Sequence, residues 1–186
     1  MSALHFRPAT ADDARFVARH VLEALHWHMY EVPLSAAQTQ AWDELTEVCR
    51  RDDVLYSHRH ALLAEIDGEP VGPILAYDGA HYHTLRTRTF ALLPAFAGMD
   101  VDSMEDEATV GEYYIDSLAV APKARGRGVG RALLTQAVQR AARLQLRPTL
   151  LVDPDNLGAR RLYATAGFRE NGSVTAFGQT YLRMQH

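Results

Sequence analysis

The chain is poor in cysteine. Cys49 stands alone among 186 residues, which excludes an internal disulfide and any zinc site built on cysteine pairs. A lone cysteine reads as a small buried hydrophobe. An excess of charge of one sign is missing as well: 19 Lys and Arg face 23 Asp and Glu, for a formal net charge of −4. Global electrostatics therefore give no reason to expect nucleic acid or an anionic membrane as partner. No apolar run approaches the roughly 20 residues that a membrane span needs. The opening stretch MSALHFRPATADDARF has no basic segment followed by an apolar one, so no secretory signal is read there and a reducing, cytoplasmic setting is expected. Internal repeats and low-complexity segments are absent too.

Hydrophobic residues make up 47% of the chain and charged residues 23%, a balance that lets a chain of this length bury its own core without staples. One domain over residues 1–186 is expected, with an insertion around residues 78–109. Residues 4–7 read as a short strand stopped by Pro8. Thr10 is placed to cap a helix, with Asp12 and Asp13 in the first turn, where acids complement the helix dipole. Phe16, Val17, His20, Val21, Ala24 and Leu25 follow at helical spacing. Ser35 caps a second helix through Cys49, with Trp42, Leu45 and Val48 on one side. His60 to Ile66 and Pro70 to Tyr77 are strands joined by the turn pair Asp67-Gly68.

From Asp78 to Thr109 no period dominates, and neither LRTRTFALLPAF nor the acidic run DVDSMEDE carries an assignment. Glu112 to Val120 reads as a strand and Gly130 to Leu144 as an amphipathic helix, whose stripe is Leu133, Leu134, Ala137, Val138, Ala141 and Leu144. Thr149 to Val152 is a short buried strand. Another helix begins at Asn156 and stops at Gly167, a residue suited to the position after a helix C-terminus. A final hairpin, Phe168 to Ala176 and Gln179 to Met184, turns around Phe177-Gly178. This order implies an α+β or α/β class with a mixed sheet.

The segment IDSLAVAPKARGRGVGRALL carries the chemistry. A strand ends at Val120, Pro122 breaks it, and the loop opens directly into a helix. Gly126, Gly128 and Gly130 let backbone N–H groups approach a ligand without side-chain obstruction. The helix N-terminus adds unpaired donors and partial positive charge, which suit phosphate oxygens. Arg125, Arg127 and Arg131 bring formal positive charge to the same place. The bland alternative is a flexible strand-to-helix turn with solvated arginines. A Walker loop fits poorly, because no Lys-Ser or Lys-Thr pair follows the glycines. The dinucleotide fingerprint also fits poorly, because the loop lies late in the chain rather than in a first βαβ unit.

Arg125-Gly126-Arg127-Gly128-Val129-Gly130 resembles the R/Q-x-x-G-x-G/A signature of the GNAT superfamily of N-acetyltransferases, which use acetyl-CoA. The preceding YYIDSLAVAP looks like that family's strand, and DNLGARRLYATAGF, some thirty residues on, resembles its second motif. The resemblance implies an α+β fold of the α/β-type GNAT kind: a mixed, mostly antiparallel central sheet, helices on both faces, and a splay between the strands at 112–120 and 149–152. It implies acetyl-CoA as acyl donor, with no metal. Main-chain groups of Leu118, Ala119 and Val120 would pair with the pantetheine arm as an added strand does. Arg125, Gly126, Arg127, Gly128, Val129, Gly130 and Arg131 would hold the pyrophosphate.

By the same resemblance Asn156 would sit near the pantetheine; the alternative is a helix N-cap, and the two roles are compatible. Tyr163 matches the family's tyrosine near the cofactor sulfur and would protonate the leaving thiolate, the alternative being an aromatic packed between helix and sheet. The base is less legible. Alternation puts Glu112, Tyr114, Asp116 and Leu118 on one strand face unless a bulge intervenes. Tyr114 lies near where relatives carry an acid, so Glu112 is taken as the base, against a solvated strand-end carboxylate. His-x-His pairs at 26–28, 58–60 and 81–83 read as surface or partly buried histidines rather than ligands.

The function expected is transfer of an acetyl group to a primary amine of a small molecule or peptide, by direct attack in a ternary complex. The alternative is a non-catalytic acyl-CoA-binding sensor. The expected partner is the amine acceptor, with no nucleic acid and no membrane; a homodimer is allowed. Residues 81–107, with the first two helices, are expected to wall the acceptor side, with Asp100, Asp102, Glu105, Asp106 and Glu107 attracting a cationic amine; the alternative is a solvated loop that never approaches the thioester.

Overall fold

The computed structural model describes residues 3–176 and 178–186. Seven strands form one sheet: β1 (Leu4–Pro8), β2 (Ala61–Ile66), β3 (Glu69–Asp78), β4 (Glu112–Leu118), β5 (Arg147–Val152), β6 (Arg169–Ala176) and β7 (Gln179–Gln185), in the order β1-β2-β3-β4-β5-β7-β6. All neighbours are antiparallel except β4 and β5. Five helices complete the fold: α1 (Ala14–Ala24), α2 (Ala36–Cys49), α3 (Tyr82–Ala91), α4 (Val129–Leu144) and α5 (Leu157–Thr165). None is long and apolar enough to cross a membrane among the described residues.

Local chemistry accounts for most boundaries. Ser35 Oγ accepts from the Gln38 amide at 3.2 Å while Gln38 Oε1 takes the Ser35 N–H at 2.8 Å, a reciprocal cap that starts α2. Thr10 opens a single 3₁₀ turn before α1, and the Asp13 carboxylate takes its N–H at 2.8 Å. Asp67 and Gly68 both have positive φ, 53° and 81°, which matches the twist of the β2–β3 hairpin. Phe177, at the tip assigned to the last hairpin, lies outside the described residues; Gly178 beside it has φ 74°.

The sheet separates two cores, one on each face. Val17, Val21, Leu45 and Val48 of α1 and α2 cover Leu63, Leu75, Tyr77 and Tyr114 on one side. Leu133, Leu134, Ala137 and Ala141 of α4 cover Ile74, Ala76, Tyr113, Ile115 and Leu150 on the other. Each fully buried aliphatic side chain contributes about 2 kcal/mol or more.

The stretch 78–109, without a period in the sequence, contains α3 and three short 3₁₀ turns. Its order comes from polar anchors. Asp78 caps the turn before α3 through the Ala80 amide at 2.9 Å. Arg86 is 1% exposed and donates to the Glu105 and Met104 carbonyls at 2.9 and 3.1 Å, while pairing with Asp106 at 3.0 Å. A Cβ at Gly79 would stand 2.3 Å from the Thr109 carbonyl oxygen, so only glycine lets the end of this segment return against the sheet.

Candidate active site

The site begins at a defect in β4. Leu75 pairs with Ser117, but Ala76 pairs with Ile115, so Asp116 is the extra residue of a bulge. Before it, Tyr113 and Ile115 face α4, whereas Tyr114 packs with the α1–α2 side. After it the alternation is reset and Leu118 packs with the α4 side. The face expected to carry Glu112, Tyr114, Asp116 and Leu118 together is therefore interrupted.

The same region opens the sheet. β4 and β5 pair only from Glu112↔Arg147 to Ile115↔Leu150; beyond that, Leu151 and Val152 keep only their pairing with β7 on the other edge. The chain after Asp116 thus has no neighbour on its β5 side. The Ala119 amide donates to Pro73 at 3.4 Å and the Ala121 amide to Val71 at 2.8 Å. Main-chain direction alternates, so Leu118 and Val120 turn their polar groups into the gap. Gly72 permits the close crossing, since a Cβ there would lie 2.6 Å from the Ala119 oxygen.

The loop that follows presents donors. Gly126 and Gly128 have φ 73° and 79°, in the left-handed region that glycine enters without strain. The first helical bond of α4 runs from Ala132 N–H to the Gly128 carbonyl at 3.0 Å. The amides of Val129, Gly130 and Arg131 thus stand at the helix N-terminus without intrahelical acceptors. Arg127 and Arg131 are exposed and make no ion pair among the described residues. Arg125 is engaged: it donates to Glu23 at 2.9 Å and to the Val120 carbonyl at 2.9 Å, with its guanidinium 5.6 Å from the Tyr30 ring centre. It fastens the loop to α1 rather than standing free.

A cleft of about 560 Å³ runs along this opening and is lined by Leu118, Ala119, Val120, Arg125, Asn156 and Tyr163 among others. Asn156 caps α5, its Oδ1 accepting from the Ala159 amide at 3.0 Å. The Tyr163 hydroxyl has no hydrogen bond to the described residues; the ring packs 6.2 Å from that of Phe168. Desolvation pushes its phenol up to about 12.

The far wall of the cleft is made of tyrosines and carboxylates. Tyr77 Oη donates to Asp116 Oδ2 at 2.5 Å, and Ser117 Oγ to Asp116 Oδ1 at 2.8 Å. Burial, and next the neighbouring Glu107, raise the Asp116 carboxyl from 3.8 to about 6, although those two hydrogen bonds pull the other way. Tyr114 Oη donates to Glu107 Oε2 at 2.6 Å. Tyr56, Tyr82, Tyr114 and Phe90 line the same space.

The sequence matches the model of the acetyltransferase (GNAT) family over residues 20–168. The chain belongs to the GNAT acetyltransferase family. It is 45% identical over 76 residues to the mycothiol acetyltransferase of Kineococcus radiotolerans, covering 41% of this chain and 23% of that protein. It is 35% identical over 116 residues to that of Acidothermus cellulolyticus, covering 62% and 31%. The match thus spans less than a third of the length of either curated relative. The fold is similar to that of an N-acetyltransferase from Staphylococcus aureus Mu50, with a TM-score of 0.81 at 22% identity over 98% of this chain and 100% of that one. A crystal structure of an acetyltransferase matches at 0.74 and 30% identity over 97% of each chain. The PaiA N-acetyltransferase of Thermoplasma acidophilum in complex with coenzyme A matches at 0.57 and 13% identity over 99% of each.

In this GNAT chain, Leu118, Ala119, Val120, Arg125, Asn156 and Tyr163 come together on one cleft, with the glycine loop continuing from Arg125. Glu112 does not line it. It is 4% exposed and forms an ion pair with Arg183. It also accepts from the Thr109 amide at 2.9 Å and Gln185 Nε2 at 3.1 Å. Burial pushes its pKa up, but Arg183 and the Thr109 amide outweigh that and hold the carboxyl below its usual value. A carboxylate so satisfied is a staple between β4 and β7 and a poor proton acceptor.

Of the five acids of the DVDSMEDE run, Glu107 lines the cleft. Asp106 is tied to Arg86, and Asp102 accepts from Thr87 at 2.9 Å. Sequence reasoning passed over Tyr56, Tyr77 and Tyr82. Their signal was an excess of tyrosine, 8 against 6 Phe, with Tyr77 on a strand and Tyr82 on a helix, where a purely apolar core takes Phe, and Tyr56 in a turn. His58 and His60 aim Nδ1 at the Cys49 and Leu55 carbonyls, at 3.0 and 2.9 Å. Among the described residues no group of three or more His, Cys, Asp or Glu could hold a metal.

Proposed function

We propose that this acetyltransferase acetylates a primary amine by direct attack in a ternary complex, with Asp116 as proton acceptor and Tyr163 as proton donor. One observation carries the reading: a single cleft is lined by an unpartnered phenol, a carboxylate whose pKa is raised to about 6, and an open strand edge.

The residues present suit coenzyme A. The free main-chain groups of Leu118 and the Val120 amide match a peptide-like pantetheine arm, while the Val120 carbonyl is already held by Arg125. The amides at the start of α4, with Arg127 and Arg131 unpaired beside them, suit a pyrophosphate. Asn156 has a second acceptor site beyond the one that caps α5. When bound, acetyl-CoA supplies a thioester whose carbonyl carbon forms the new C–N bond while the C–S bond breaks.

Asp116 then has a defined task. An ammonium group is not a nucleophile, and a carboxylate raised to about 6 accepts its proton better than an ordinary aspartate while remaining ionised at neutral pH. Tyr77 and Ser117 hold the carboxylate in place. Tyr163, with no competing hydrogen bond, donates its hydroxyl proton to the departing sulfur. The 78–109 segment, anchored by Arg86, forms the acceptor side.

Release of free thiol from acetyl-CoA, measured against a panel of primary amines, tests the proposal. Amine-dependent release with a Michaelis constant for acetyl-CoA in the micromolar range is expected. Tight acetyl-CoA binding by calorimetry with no release for any amine would instead support an acyl-CoA sensor.

A further inference from the structure

Proton transfer at Asp116 leaves Glu107 and the tyrosines around it without a task. Tyr77 and Tyr114 face each other directly across β3 and β4, their ring centres 5.9 Å apart. Each ends on a carboxylate, Tyr77 on Asp116 and Tyr114 on Glu107. Opposed strand residues keep their Cβ atoms roughly 5 Å apart, so the two carboxylates are neighbours in one cleft. Neither has a Lys or Arg ion-pair partner among the described residues. Tyr82 closes the group, 5.9 Å from Tyr114 and 6.5 Å from Tyr77.

A separate observation points to a ligand. Tyr56 is 9% exposed and lines the same cleft. Its hydroxyl has no hydrogen-bond partner among the described residues. The ring is buried while the hydroxyl oxygen stays open to the cleft, so it is free to accept from a donor supplied there.

Two unpaired carboxylates with aromatic walls are costly without counter-charge and attract cations on both counts. A monoamine leaves Glu107 uncompensated once its single positive charge is lost with the proton that passes to Asp116. An amino acid brings a carboxylate that both acids repel.

We propose that the acceptor is a short-chain diamine, with its reacting nitrogen at Asp116 and its second, protonated nitrogen held by Glu107 and the Tyr56 hydroxyl. The proposal rests on the transfer reading above. The ammonium nitrogen at Asp116 gives one proton to that carboxylate, attacks the thioester carbonyl carbon and sheds a second proton as the C–S bond breaks; that second proton replaces the one Tyr163 donates to the departing thiolate. The nitrogen at Glu107 keeps its protons and stays unacetylated, so the product is a monoacetyl diamine.

Three probes of similar length and different charge test this: butanediamine, n-butylamine and γ-aminobutyrate, each with acetyl-CoA. A charge-assisted hydrogen bond corresponds to about tenfold or more in kcat/KM. The diamine should exceed n-butylamine by at least that factor, and γ-aminobutyrate should be the poorest. Glu107→Gln keeps the size of the side chain and its acceptor for Tyr114. It should raise KM for the diamine by about tenfold and change KM for n-butylamine far less, thereby abolishing the preference; a moderate fall in kcat shared by both amines is expected, because Glu107 also helps to raise the Asp116 carboxyl. Tyr56→Phe, which removes only the free hydroxyl, should raise the diamine KM a few-fold in the same selective way. Equal kcat/KM for diamine and n-butylamine, or a preference surviving in Glu107→Gln, overturns the proposal. Calorimetry with butanediamine separates the two readings. Glu107-dependent binding without turnover keeps the cation site and refutes transfer, whereas turnover of n-butylamine without diamine preference keeps transfer and refutes the site.

Discussion

Replacing Asp116 by Asn should abolish most activity and raise stability together. Burial and then Glu107 raise the folded-state carboxyl from 3.8 to about 6, whereas in the unfolded chain it titrates at its ordinary value. As pH rises between about 4 and 6, the unfolded state loses a proton that the folded state keeps, so the native state is progressively disfavoured and stays so above that window. A displacement of about two units sets a ceiling of about 3 kcal/mol. Water reaching the half-buried side chain lowers this to about 1–2 kcal/mol. Asn cannot ionise and still accepts from Tyr77, so Asp116→Asn should melt roughly 2–8 °C above wild type at pH 8. Below pH ~4 the two proteins should converge. Turnover should fall by about 10²–10⁴, the scale of losing a general base. Thermal melts at pH 4 and 8 and thiol release from pH 5 to 9 provide the assays; wild-type kcat/KM should decline below about pH 6, a limb absent from the variant. An Asn variant with wild-type kcat/KM, or one less stable than wild type at pH 8, would refute the assignment.

Tyr163→Phe should retain acetyl-CoA affinity and lose roughly tenfold to a thousandfold in kcat; equal turnover would return the ring to a packing role. Gly128→Asp puts bulk and negative charge at the left-handed entry to α4, so calorimetry on the folded variant should find acetyl-CoA binding weakened at least about tenfold. Unchanged affinity would remove the loop from the cofactor site. Glu112→Gln breaks the buried pair with Arg183 and should cost about 3 kcal/mol in denaturant unfolding, with kcat within a few-fold of wild type. A variant of unchanged stability and lost turnover would restore Glu112 as base.

The parts legible in the sequence are those whose cause is local. The Asp67-Gly68 turn, the cap at Ser35, the apolar stripe of α4 as far as Ala141 and the glycine loop before it each depend on residues a few positions apart, and the structure has them where spacing put them; Leu144, expected to end that stripe, is instead 50% exposed at the last turn of the helix. The family resemblance rested on the same kind of segment, and the mixed, splayed sheet came with it. The acceptor side was decided elsewhere. Asp116 rather than Glu112 lines the cleft because one unpaired residue in β4 resets the alternation, and a bulge is a property of two strands, not one. Glu112 lies away from the cleft because Arg183, 71 positions later, meets it only when β7 packs beside β5. The 78–109 segment gave no period because α3 is held by a buried arginine reaching backbone carbonyls 18 and 19 residues on. Local patterning determines elements; which carboxylate is neutralised and which is left open to the cleft depends on partners that only the closed fold brings within hydrogen-bond distance.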